Sequence, residues 1–457
     1  VAYLEIDNEK ATFKLVSEEV KDQEGKVTLL WTIDGMGDYP FSSSAVDNIA
    51  RVAGRVYLTK EIAQDVTDFS PYGLDKPTAV LRVVMKDGTQ HEIKFGKEIP
   101  SGYYDYVTVD QTGRVCTIAS STGDKIRSTL LDLLDKTSVI VLEANKLQKL
   151  EFNRAKDQLH LVSDIKLVGE VGSGTEYLDF TITEPVRRSG TSESLSKLVN
   201  ESVAASVSQF VEIDPKDLAL YGLDQPAYLF NLSSADKSVR LMIGSQADGS
   251  SYYAMTDQVP AVFTVAASSF TTIDMKVTEM LDRFVALESI WAVEKIEADI
   301  LGTRFVTEIQ MEKSQTADDE TVVFTLDGEN AKIFSEKDKS LYNQFYQSII
   351  GILIDNLDTE ANPENTKDAR IVFHIREDKD NNIPAHTKIV EFARRDDYTY
   401  YVFIDGIYTG YYIDGEKAFT STRINSEGVL VSYKMMRYAM DHAVDGVFNT
   451  QEGYQLD

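Results

Sequence analysis

At 457 residues, with 43% apolar and 26% charged side chains, the chain has the composition of a folded globular protein, too long for one ordinary core and sized for about two to four domains. Its formal charge of −28 repels nucleic acid and anionic lipid, which excludes both as main partners, and it keeps the molecule soluble and monomeric. The single cysteine excludes an intrachain disulfide framework and any multi-cysteine metal site, and no run approaches the 18 or so apolar residues of a membrane span.

In chain order, Thr12–Val16 and Val27–Trp31 alternate with period two around a polar turn containing Gly25, the pattern of a hairpin. Ser42, Ser43 and Ser44 offer N-cap hydroxyls to a helix whose apolar stripe is Val46, Ile49, Ala50, Ala53, Val56 and Tyr57. Next comes Tyr72-Gly73-Leu74-Asp75-Lys76-Pro77, followed by four short strands near 78–85, 89–95, 103–109 and 114–119. A helix bearing Ile126, Leu130, Leu131 and Leu134 closes this unit.

The hexapeptide then returns as Tyr221-Gly222-Leu223-Asp224-Gln225-Pro226, and its surroundings return with it. Ile93-Lys94-Phe95-Gly96 aligns with Leu241-Met242-Ile243-Gly244, and Tyr103-Tyr104 with Tyr252-Tyr253. Strands run between Val139 and Leu167 and near Leu178–Phe180. A helix carries Leu195, Leu198, Val199, Val203, Val207 and Phe210, and a closing helix spans 273–286. Gly73 and Gly222 take positive φ without steric cost, while Pro77 and Pro226 suit a strand start, so the hexapeptide reads as a packed turn.

A third, divergent unit begins near Trp291, with strands at 305–309 and 321–324 and a helix carrying Leu341, Phe345, Ile349 and Ile352. Ala369–Ile375 then takes the place of the strand after the turn, but Asn362-Pro363-Glu364-Asn365 stands where the hexapeptide would be. Strands at 387–393 and 398–404 lead to Tyr411-Tyr412, and a last helix spans Leu430–His442. The expected fold is therefore α+β: tandem modules at 1–138, 139–288 and 289–457. Each has the order strand-strand-helix-four strands-helix, with helices packed on one face of an antiparallel sheet.

Signals for chemistry are sparse. No histidine pair among His91, His160, His374, His386 and His442 has the i, i+4 spacing of a helical zinc site, and no nucleophile elbow or Walker loop occurs. Asp378-Lys379-Asp380-Asn381-Asn382 starts like a calcium loop, but Ile383 and Ile389 occupy the positions that need glycine and a bidentate glutamate, leaving a charged hairpin turn. The glycine-rich stretch 169–174 precedes a strand and reads as a hairpin tip, not a phosphate cradle. Cys116 aligns with Phe263, which makes it a buried apolar filler. No catalytic residue, metal or cofactor is expected. The aromatic run 398–412 places tyrosines on both faces of a strand, so Tyr400, Tyr408, Tyr411 and Tyr412 are the candidate partner surface.

The Tyr-Gly-Leu-Asp-x-Pro turn, the strand ending in Ile-x-Phe-Gly or Met-Ile-Gly, and the tyrosine strand after it resemble the bacterial family called domain of unknown function 4340. The likeness covers two copies over most of 40–290 and a weaker third over 290–445. It implies no catalytic residues. It implies an extracytoplasmic interaction protein held by one N-terminal membrane helix and accessory to an ABC-type transporter or an envelope assembly. A chain that opens on Val1 fits a form from which that anchor has been removed. Two other classes compete: a glycan- or wall-binding module using the tyrosine strands, and a hydrolase built from dispersed carboxylates in a deep cleft.

Overall fold

The computed structural model describes residues 1–21, 27–37, 39–169 and 174–455. Three large, mostly antiparallel sheets dominate it. The first holds β1 Tyr3–Asn8, β2 Thr12–Lys21, β3 Val27–Ile33, β4 Lys60–Ala63, β5 Ala79–Val84, β6 Gln90–Glu98, β7 Tyr104–Val109 and β8 Val115–Ala119, in the spatial order β3-β2-β1-β5-β6-β7-β8-β4. Helix α1, Ser43–Ala53, is capped by Ser42, whose hydroxyl accepts from the Ala45 N–H. Its buried Val46, Ile49, Ala50 and Ala53 share one core with Leu4, Ile6, Leu15, Leu81 and Phe95 of the sheet. Two short helices, α2 Ser120–Ile126 and α3 Leu130–Leu133, add Ile126 and Leu133 to that core.

The second sheet holds β9 Leu147–Arg154, β10 Leu159–Val168, β11 Tyr177–Glu184, β12 Arg188–Ser189, β13 Gln209–Ile213, β14 Tyr228–Ser234, β15 Ser238–Asp248, β16 Ser251–Thr256 and β17 Ala261–Ala266, in the order β12-β11-β10-β9-β14-β15-β16-β17-β13. Helix α4 is Ser192–Val203 and α5 is Val277–Met280. The third sheet holds β18 Val293–Ile300, β19 Thr303–Gln310, β20 Val323–Leu326 and β21 Glu329–Asn330. A two-residue strand, β22 Phe334–Ser335, follows in the chain but belongs to a separate small sheet. Beyond helix α6 Leu341–Ile350, the third sheet resumes with β23 Ile354–Leu357, β24 Ala369–Ile375, β25 His386–Arg394, β26 Thr399–Ile404 and β27 Ile407–Asp414. Its order is β21-β20-β19-β18-β24-β25-β26-β27-β23. Helix α7 Val429–His442 and β28 Val447–Phe448, paired parallel to β22, complete the chain.

The strand orders of the second and third sheets are the same, and the first differs only by lacking, among the described residues, the outermost strand. By packing, the chain divides into two compact units. One is 1–160, 165–176 and 196–273; the other is 161–164, 177–195 and 274–457. Among the described residues, no helix is long and apolar enough to cross a membrane.

Several sequence expectations need correction. The first module opens with three strands, and the second and third with four strands of their sheet, not two; β1, β9 or β18 runs up the middle of each sheet, and β12 and β21 add an outer strand to the second and third. An edge strand also follows α1, α4 and α6 (β4, β13 and β23). Helix α1 stops at Gly54, so Val56 and Tyr57 lie beyond it. Helix α4 stops at Val203, and Phe210 sits on β13. Ile352 falls past the end of α6. Helix α5 is a single turn within the expected 273–286, and the first closing helix is split by a capping box, in which the Thr129 side chain accepts from the Asp132 N–H. The Gly25 turn and the tip of the 169–174 loop lie outside the described residues.

Candidate functional site

The repeated turn is a lock between two parts of the motif. Tyr72 and Tyr221 end short 3-10 turns, each capped by a glycine in the left-handed region, Gly73 at φ +70° and Gly222 at φ +65°. Leu74 and Leu223 are buried, while Asp75 and Asp224 face solvent. The Tyr72 carbonyl oxygen rests on Gly96, 2.3 Å from where a Cβ would stand; the Tyr221 oxygen lies 2.2 Å from the same point on Gly244. The strand glycine of the motif thus exists to admit the turn backbone. Pairing register makes Ala393 the third module's counterpart of Gly96 and Gly244, since Phe95, Ile243 and Phe392 pair with Ala79, Tyr228 and Ala369. Where the hexapeptide is missing, the glycine is missing too.

The same register corrects the tyrosine alignment. Val107, Ala254 and Val402 are equivalent, so Tyr106, Tyr253 and Tyr401 correspond, and Tyr104 matches Ser251, not Tyr253. Each of the three packs edge-on against another tyrosine: Tyr72–Tyr106 at 5.1 Å, Tyr221–Tyr253 at 5.0 Å and Tyr401–Tyr408 at 5.4 Å. Tyr221 also donates to Glu212 over 2.6 Å, and holding that proton beside a carboxylate pushes its pKa up to about 12.

The expected tyrosine surface is not a surface. Tyr400 and Tyr411 are 5% and 2% exposed, because alternate strand positions here point into the core. Tyr408 and Tyr412 are half-buried and already engaged. The Tyr408 hydroxyl donates to the Asp358 carbonyl at 2.7 Å, and the Arg395 guanidinium lies 4.3 Å over the Tyr412 ring.

Titratable side chains elsewhere are held by local partners. His91 meets Asp110 at 2.9 Å on an exposed strand face, and His442 lies against the Tyr438 carbonyl. Burial pushes the Cys116 thiol up. Residues 378–383 close on themselves through paired backbone hydrogen bonds, with Asp378 accepting from Asp380 and Asn381. Among the described residues, no group of three or more histidines, cysteines or carboxylates is arranged to hold a metal ion.

Two cavities flank α6 in the third module. The larger, about 550 Å³, lies at the C-terminal end of α6, against the π-helical turn Glu416–Thr420. It gathers charges of both signs, Arg283, Lys417 and Arg423 with Asp355, Asp414 and Glu427. Arg283 spends Nε and Nη2 on the Ile354 carbonyl, at 2.9 and 2.7 Å. Lys417 Nζ is 2.8 Å from Asp414 and 3.8 Å from Asp355, while Arg423 has no ion-pair partner among the described residues. Burial pushes the Asp414 carboxyl up, but bonds from Lys417 outweigh it and hold it below the usual range; Asp414 in turn raises Lys417. Both are kept charged, the opposite of a pair poised for proton transfer.

The second cavity, about 450 Å³, is largely apolar, walled by Leu287, Ile290, Tyr346 and Ile350. Gln347 lines both cavities, so they adjoin along one side of the helix. Asn343 reaches the apolar one, and its buried Oδ1 accepts no hydrogen bond among the described residues. None of these residues stands out in the sequence. They come from segments 283–290, 343–355 and 414–427, which only the fold assembles.

The family model for a domain of unknown function (DUF4340) matches residues 31–171 and 181–362, more than half of the chain. The chain belongs to this family. The two matched regions carry the two hexapeptides, and the Gly96 and Gly244 locks lie inside them. No curated protein and no solved structure matches the chain.

Proposed function

We propose that this family member is a non-enzymatic interaction protein that grips a polypeptide segment of a partner in the adjoining clefts beside α6. The observation that carries the reading is the pairing of a charged cleft with an apolar one across Gln347. Such a surface suits a chain segment with apolar anchors and charged flanks. The Asn343 oxygen, which accepts no hydrogen bond among the described residues, is an acceptor for a backbone N–H of that segment, and Arg423, without an ion-pair partner among the described residues, is a cation at the cleft wall. In keeping with the family resemblance, the protein works outside the cytoplasm, tethered to the membrane, as an accessory of an ABC-type transporter or an envelope assembly.

A photo-crosslinking residue placed at Gln347 of the full-length protein, in its own cells, tests this. Recovery of transporter or envelope-assembly subunits from Gln347, and not from Tyr57 in the first module, is the expected result. Finding the full-length protein free in the cytoplasm, or Gln347 crosslinks that contain no partner subunit, would overturn it.

A further inference from the structure

Sheet edges expose unpaired backbone N–H and C=O groups, and folded proteins normally shorten, bulge, charge or cover them. In this chain nearly every edge follows that rule. The outermost strands β12 and β21 have two residues each, and β4, β13 and β23 are broken by register shifts at Glu61/Ala63, Phe210/Glu212 and Ile354/Asn356. β3 breaks the rule. It is seven residues long, Val27-Thr28-Leu29-Leu30-Trp31-Thr32-Ile33, with no charge, proline or bulge, and it pairs with β2 in unbroken register from Leu15↔Ile33 to Lys21↔Val27. Val27, Leu29 and Leu30 are 50%, 49% and 45% exposed, so apolar side chains stand out on both faces.

The sibling modules show what belongs there. By strand order, β3 is the counterpart of β11 and β20. Both counterparts carry one more antiparallel strand on their outer side: β12 pairs Ser189 with Thr181 and Arg188 with Ile182, and β21 pairs Asn330 with Thr325 and Glu329 with Leu326. In those modules the covering strand comes from the residues just after the covered one. In the first module, the chain leaves β3 through Asp34-Gly35-Met36 toward α1, and among the described residues no strand returns to pair with the outer side of β3.

We infer that β3 is a docking edge for an extended strand of a partner polypeptide, which adds antiparallel to Val27–Ile33 and supplies the strand this module lacks. Main-chain hydrogen bonds give such strand addition its affinity, and alternate side chains give it selectivity. The uncharged edge calls for a strand with β-branched or apolar residues at alternate positions. The flanks of that strand are basic, because the chain carries −28 overall and Glu18 stands level with Leu30 on the neighbouring strand. This surface is separate from the α6 clefts and does not depend on them.

The test uses the full chain and the synthetic peptide Lys-Lys-Thr-Val-Thr-Val-Thr-Lys-Lys. Amide hydrogen exchange over 27–33 is read by mass spectrometry, alongside Trp31 fluorescence. At saturation, exchange in this segment should slow by about tenfold or more, with a blue shift of the emission. The Leu29→Lys variant should lose that slowing while exchange in β5–β8 stays unchanged. Unaltered exchange over 27–33 at every peptide concentration overturns the proposal. So does protection already present without peptide together with a doubled molecular mass, which would make a second copy the occupant. Equal slowing by a peptide with glutamates in place of the lysines overturns the basic flanks, and that comparison needs no altered protein.

Discussion

Replacing Gly244 by alanine should loosen the repeat lock from inside the sheet. The added Cβ would stand 2.2 Å from the Tyr221 carbonyl oxygen and 3.0 Å from both the carbon and oxygen of Gly222. These are backbone atoms, and the first contact is more than roughly 1 Å short of ordinary packing distance. The turn cannot swing away freely, because Leu223 is 2% exposed and Tyr221 is tied to Glu212. Overpacking of this kind costs about 1–3 kcal/mol, which in a domain of this size lowers the melting temperature by about 2–12 °C. Circular dichroism melts of Gly244→Ala against Gly249→Ala, whose Cβ would meet no atom within 4 Å, measure it. Gly222→Ala should also destabilise, by about 1–2 kcal/mol for the left-handed backbone, and Gly244→Ala should add less on top of it than alone because the two touch. A Gly244→Ala protein that melts with the Gly249→Ala control would refute the lock.

Other predictions concern single buried or half-buried groups. Asp105, 1% exposed, accepts from Arg127 Nη2 at 2.6 Å and from Ser120 at 3.0 Å; Asp105→Ala should cost about 3 kcal/mol in urea unfolding, and a loss below the level of a surface substitution would contradict the pair's role. Burial pushes the Glu201 carboxyl up, but the hydroxyls of Thr271 and Thr272 and the Thr272 N–H outweigh it and hold it below 4.5. A carboxyl depressed by folding stabilises above its unfolded pKa, and that gain is lost as pH falls through the folded value. Glu201→Gln should therefore unfold more easily than the parent at neutral pH and converge with it well below 4.5; a constant difference across that window would count against the assignment. Cys116, buried and with its thiol pushed up, should ignore a thiol reagent until the protein is unfolded, so rapid native labelling would be inconsistent with the fold.

What the sequence determined was local. Period-two alternation placed the strands from Ala79 to Ala119 within three residues at every end, and the apolar stripes located α1, α4, α6 and α7, because each signal lies within a dozen residues or so. The repeated hexapeptide marked the modules, since a turn with positive φ leaves its glycine in the text. The expected extent of several helices failed where a stripe ran on past the real stop: beyond Gly54, Val56 and Tyr57 lie in the connection before β4, and beyond Val203, Phe210 is apolar because it belongs to β13.

What the tertiary structure decided was pairing and direction. Strands β1, β9 and β18 complete their sheets by pairing with strands far along the chain, Ile6 with Leu81 for example, a relation that periodicity does not encode. A strand's alternation also does not say which face is buried, so Tyr400 and Tyr411 read as surface and fold as core. The clefts beside α6 and the open edge of β3 are likewise products of assembly. One gathers residues more than a hundred positions apart, and the other is visible only because β11 and β20 have an outer neighbour where β3 has none among the described residues.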